Sequence, residues 1–140
     1  MSNAEIIKTI FLAASRETVW DFLTRSEKLA EWFHPAERDL AEGEDYALMG
    51  QTDDGAPARL CWGTVVEMDK PSKMVWTFTI RPLDGAMTTV TWLLDDVADG
   101  TRLTLHHTGF TDIAAPFELM RALDSGWDKH LSDLRAADAL

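Results

Sequence analysis

Phe117-Glu118-Leu119-Met120-Arg121-Ala122-Leu123-Asp124-Ser125-Gly126-Trp127-Asp128-Lys129-His130-Leu131-Ser132-Asp133-Leu134 is the stretch that decides how this chain folds. Phe117, Met120, Leu123, Trp127, Leu131 and Leu134 recur every three or four residues. That spacing sets them along one stripe of a helix, with charged side chains on the remaining faces. The helical texture runs from about Ile113 to Ala137. Gly126 interrupts it at a cost of about 1 kcal/mol relative to Ala, so it marks either a close backbone approach or a bend. A stripe of this length needs a broad apolar surface against which to bury itself.

Residues 36–110 supply that surface. Short alternating runs are separated by turn residues, the signature of successive antiparallel hairpins. Turns fall at Glu42-Gly43-Glu44, Thr52 to Pro57, Asp69 to Ser72, Arg81 to Gly85 and Asp99-Gly100. Between them Leu60, Trp62, Thr64, Val66 and Met68 alternate with Cys61, Gly63, Val65, Glu67 and Asp69. Met74, Trp76, Phe78 and Ile80 share one face, as do Val90, Trp92 and Leu94, and Leu103, Leu105 and His107. Such a sheet is apolar on one side and wet on the other.

Upstream, Glu5 to Leu12 reads as a strand, with Ile6, Ile7, Ile10 and Phe11. Ser15 is placed to cap a helix carrying Val19, Phe22 and Leu23 on one face. Leu29, Trp32 and Phe33 repeat the spacing before Pro35 stops it, giving two short helices in tandem. There is no internal repeat or linker, so residues 1–140 are expected to form one domain. The expected class is α+β: a strand, two short helices, further antiparallel strands and one long C-terminal helix across the sheet.

Composition narrows the function. Thirteen basic residues against twenty-four acidic ones give a net charge of −11, a surface that repels nucleic acid and anionic bilayers. No apolar run approaches the roughly 20 residues of a membrane span. Met1 to Glu5 lacks the basic and apolar regions of a signal peptide. With Cys61 alone, no internal disulfide forms. A cytoplasmic location is the expectation, and Cys61 reads as a small buried hydrophobe.

Six Trp in 140 residues bear on what lies between helix and sheet. Trp32, Trp76, Trp92 and Trp127 fall on faces expected to point inward, and each buried indole N–H needs an acceptor. Rings of this kind either fill a solid core or line a small-molecule pocket. The expected ligand-lining set is Trp32, Phe33, Trp76, Phe78, Trp92, His107, Phe117, Met120, Leu123 and Trp127.

For chemistry, His107 is the one candidate acid or base, with Tyr46 or Arg59 as a second polar group; a structural, hydrogen-bonded His107 is the alternative. His106 points outward, His34 lies in a loop and His130 falls off the apolar stripe. Adjacent His106 and His107 diverge on a strand, so no metal site is expected. Asp53-Asp54 and Asp95-Asp96 sit at turns as solubilising charge. Arg59 and Glu67 are candidates for a cavity mouth. No cofactor motif is present.

Several stretches resemble the activator of heat-shock-protein-90 ATPase homologue family, within the SRPBCC (START, Bet v 1-like) superfamily. They are Ile10 to Trp20, Leu29-Ala30-Glu31-Trp32-Phe33, Gly63 to Pro71 with Met74 to Phe78, Gly100 to Phe110, and Gly126 to Leu131. Gly43 is followed by Glu44 where the family often has a second Gly and a basic residue. The resemblance implies a helix-grip fold: a curved antiparallel sheet of six or seven strands around the long C-terminal helix. It implies a binding protein for a small apolar or aromatic molecule. Some superfamily relatives are cyclases, hydratases or lipid carriers. Eukaryotic activators carry a separate N-terminal chaperone-binding domain, for which these residues leave no room, so a chaperone partner is a weaker expectation. A homodimer is compatible with each reading.

Overall fold

The computed structural model describes residues 4–137. Part of the N-terminal stretch read for a signal peptide, residues 1–3, lies outside them. Strand β1 (Ile6–Leu12) leads into helices α1 (Arg16–Thr24) and α2 (Ser26–Trp32). Strands β2 (Asp45–Gln51), β3 (Pro57–Asp69), β4 (Lys73–Ile80), β5 (Thr88–Val97) and β6 (Gly100–Thr108) follow, and helix α3 (Phe117–Arg135) ends the chain. The strands form one antiparallel sheet in the order β1-β6-β5-β4-β3-β2. Thus β1 closes the sheet against β6, and every later neighbour is a hairpin.

Local chemistry explains the elements. The Ser15 hydroxyl accepts from the Thr18 amide at 3.3 Å and caps α1. Val19, Phe22 and Leu23 bury one face of α1, and Leu29 and Trp32 one face of α2. Trp32 donates its indole N–H to the Phe22 carbonyl at 2.8 Å, tying the two short helices together. The long helix starts at Phe117, four residues later than the spacing suggested, because residues 110–114 form turns and Pro116 occupies the N-cap. On its C-terminal half Trp127, Leu131 and Leu134 are buried. Lys8 of β1 holds the outer flank of α3, with Nζ 2.8 Å from both Asp124 and Asp128.

Two β-bulges break the regular alternation expected of β3. The register with β2 jumps between Leu48 and Met49, so Leu60 and Cys61 together oppose Leu48. A second jump, at Val66, lies opposite β4. Each extra residue reverses the in–out order beyond it. Leu60 and Cys61 therefore both face the interior side, whereas Arg59 joins Trp62 on the other face, 4.5 Å from its ring. Gly50 makes room for Leu60, whose side chain occupies the space a Cβ at Gly50 would need.

Candidate functional site

The core between sheet and helices is a column of edge-to-face aromatic rings. Trp92 sits at its centre, with ring centroids 5.9 Å from Trp32, 5.4 Å from Trp76 and 5.7 Å from Trp127. Trp76 and Trp92 are completely buried and are not among the residues bordering the cleft described below. The expectation that each buried indole finds an acceptor fails for these two, whose N–H groups have no hydrogen-bond partner among the described residues.

His107 is also walled in. Its Nδ1 lies 3.0 Å from the Trp127 indole nitrogen and its Nε2 lies 2.7 Å from the Thr88 hydroxyl. An indole nitrogen can only donate, so Nδ1 is the bare nitrogen and Nε2 carries the proton. The Thr88 hydroxyl oxygen accepts a hydrogen bond from Nε2–H, and its own O–H donates to the Phe78 carbonyl at 2.7 Å. Burial pulls His107 down to about 3, so the ring is neutral. Every polar atom of the ring is occupied and the residue is completely buried. His107 therefore borders no part of the cleft described below, and both ring nitrogens are engaged within the protein.

A cleft of about 250 Å³ opens beside this column. Phe33 and His34 come from the end of α2, Leu60 and Cys61 from the β3 bulge, and Phe78 and Ile80 from the end of β4. Ala122, Leu123, Gly126, Trp127 and His130 come from α3. Of the lining residues read from sequence, Phe33, Phe78, Leu123 and Trp127 are here. Trp32, Trp76, Trp92 and His107 lie behind the wall, in the closed core. Met120 packs against the core but does not border the cleft. Phe117 is 71% exposed: the first turn of α3 carries the stripe beyond the surface it covers.

Alternation alone could not find His34, Leu60, Cys61, Gly126 and His130. The Phe33 ring centroid is 5.3 Å from Trp127 and 4.5 Å from His130, and His34 meets His130 at 5.4 Å. His130 is half-buried, not exposed as its place off the stripe suggested, and its Nδ1 lies 3.4 Å from the Trp32 carbonyl. Burial, with His130 and Lys129 nearby, pulls His34 down to about 4. Burial likewise lowers His130. Two neutral imidazoles thus supply polar edges to an otherwise apolar site. Burial pushes the Cys61 thiol up to about 12, leaving a protonated and weakly nucleophilic group. Among the described residues no cluster of three or more His, Cys, Asp or Glu side chains could hold a metal.

Gly126 resolves differently from either expectation. A Cβ there would meet no atom within 4 Å, so no backbone approaches it, and α3 runs unbroken through it. The glycine faces the cleft, where any side chain would take up its space.

The family described as "Activator of Hsp90 ATPase homolog 1-like protein" matches residues 13–137. Solved structures share the fold. CalU16 from Micromonospora echinospora has 22% identity and a TM-score of 0.74, over 93% of this chain and 73% of its own. Protein CV1439 from Chromobacterium violaceum has 22% identity and a TM-score of 0.76, over 98% of each chain. PFC0360w, an HSP90 activator from Plasmodium falciparum, has 21% identity and a TM-score of 0.75, over 94% of each chain. No curated protein matches this sequence.

Proposed function

The chain belongs to the activator of Hsp90 ATPase homolog 1-like family, and we propose that it binds a small apolar or aromatic molecule in the cleft beneath α3. The observation that carries this reading is Gly126. A glycine within a helix costs about 1 kcal/mol relative to Ala, and no neighbouring atom requires one here. What it preserves is the open volume between α3, Phe33 and Phe78. Sacrificing helix stability for a vacant apolar space is the trade expected of a binding site.

The volume, just below the roughly 300–1,000 Å³ typical of drug-sized ligands, suits a compact molecule. At about 30 Å³ per water-sized group, roughly eight non-hydrogen atoms fit. Aromatic rings on three sides favour a flat or flexible apolar body, and the His34 and His130 edges can orient a polar substituent. The test is a tryptophan-fluorescence titration with cyclohexanol, toluene and 1-octanol, because Trp127 borders the cleft. Saturable changes are expected for the natural chain and their loss for Gly126→Leu. No response to any compound by the natural chain contradicts the proposal.

A second reading rests on the outer face of β1, where Ile7 and Phe11 are 56% and 62% exposed. These side chains suit a protein partner, either a second copy of the chain or a chaperone, as in the solved HSP90 activator. If a chaperone is the partner, the chain should stimulate its ATPase and Ile7→Glu with Phe11→Glu should abolish the effect. No stimulation by the natural chain removes the chaperone reading.

A further inference from the structure

A second depression of about 400 Å³ adjoins the apolar cleft, with Leu60 and Ile80 lining both. Here the chemistry changes, since Arg59 and Arg81 both border the depression. Neither makes an ion pair among the described residues, whereas Arg16, Arg25, Arg38, Arg102 and Arg121 each do. The Arg59 guanidinium lies over the Trp62 ring, which fixes its plane and leaves its N–H edge available. Asp53 is the single carboxylate on the same wall. The apolar cleft has no acidic lining residue at all, although the chain carries 24 Asp and Glu. Asp124 and Asp128 of α3 are turned to the opposite flank by Lys8.

We propose that Arg59 and Arg81 form an anion-receiving mouth, and that the ligand is an amphipathic acid whose apolar body fills the cleft while its carboxylate meets the two guanidiniums. This rests on the cleft being a ligand site, as argued above, and adds the charge of the ligand. With a net charge of −11 the surface repels anions generally. Two cations beside an apolar cleft, without an ion-pair partner among the described residues, invert that preference locally. A planar guanidinium is also the side chain best matched to a carboxylate, through paired N–H donors.

The test is calorimetric titration of the full chain with octanoate and with 1-octanol at pH 8, in low salt and in 0.5 M NaCl. Partition into a purely apolar site favours the alcohol. An arginine mouth reverses the order, with octanoate binding more tightly than octanol. Arg59→Gln and Arg81→Gln, both at exposed positions, are each expected to weaken octanoate about fivefold, the effect of one exposed ion pair, and to leave octanol unchanged. High salt should narrow the gap between the two ligands. If octanol binds as tightly as octanoate, or neither arginine change alters octanoate affinity, the mouth is refuted. The cleft reading still stands in that case provided Gly126→Leu abolishes binding of both. If the natural chain binds neither compound, both readings fall.

Discussion

The Trp127 indole on α3 donates its N–H to Nδ1 of His107 on β6 at 3.0 Å, and this bond joins the long helix to the centre of the sheet. It continues through Nε2 to the Thr88 hydroxyl and on to the Phe78 carbonyl. Trp127 and Phe78 also border the cleft. The chain of hydrogen bonds therefore sets the position of two walls from behind.

This gives two buried indoles of very different cost. Trp127→Phe orphans the His107 Nδ1, whereas Trp92→Phe removes an N–H that had no partner. Leaving a buried polar atom unsatisfied costs about 1–3 kcal/mol. Urea denaturation should find Trp127→Phe less stable than Trp92→Phe by a difference of that order. Equal losses would mean that the Trp127–His107 bond contributes nothing.

Stability should fall in mild acid. His107 is held near 3 by burial, while an unfolded histidine titrates near its ordinary 6.5. Between those values the unfolded chain binds a proton that the folded chain does not. The folded state's advantage is thus complete above about pH 6.5 and shrinks as pH drops toward 3. His107 alone should lower stability by about 2 kcal/mol between pH 7 and pH 5. His34, held near 4, acts with the same sign. Denaturant midpoints measured across this range check the prediction, and a flat profile from pH 7 to 5 contradicts it.

Gly126→Ala should separate stability from binding. The added methyl meets no atom within 4 Å, so the helix gains about 1 kcal/mol, read as a rise in melting temperature. The same methyl narrows the cleft. A substitution that raises the melting temperature and weakens ligand uptake is the expected pair of outcomes; a lower melting temperature would mean the glycine is needed for the fold.

Gly63→Ala should do the reverse, with no binding role to complicate it. A Cβ at Gly63 runs into the Thr77 carbonyl, which also accepts a hydrogen bond from the Tyr46 hydroxyl at 2.7 Å. Backbone cannot yield as a flexible side chain can, so the β3–β4 pairing must shift. Destabilisation of about 2 kcal/mol or more is expected on thermal denaturation, and a neutral change would contradict the contact.

Much of this architecture was legible in the residues. Alternation placed Trp76, Trp92 and His107 on inward faces, and spacing placed Trp127, Leu131 and Leu134 on the buried stripe of α3. Inward is not the same as open, however. Periodicity reports which side of the sheet a residue faces, and the same side holds both the closed Trp column and the cleft. Which residues border space depends on how far α3 stands off the sheet, and no spacing encodes that distance. Leu60 was hidden because a bulge, which has no sequence signal of its own here, turned it inward beside Cys61. Gly126 was visible as an anomaly, but its reason required the empty volume beside it.

The central claim is that the space between α3, Phe33 and Phe78 is a ligand site, and the most direct measurement is an NMR titration with octanoate on methyl- and indole-labelled protein. The account predicts saturable shifts at the Leu60, Ile80 and Leu123 methyls and the Trp127 indole, with the methyls of Leu103 and Leu105 in the closed core barely moved. No saturable shifts, or shifts confined to Ile7 and its neighbours on the outer sheet face, would contradict it.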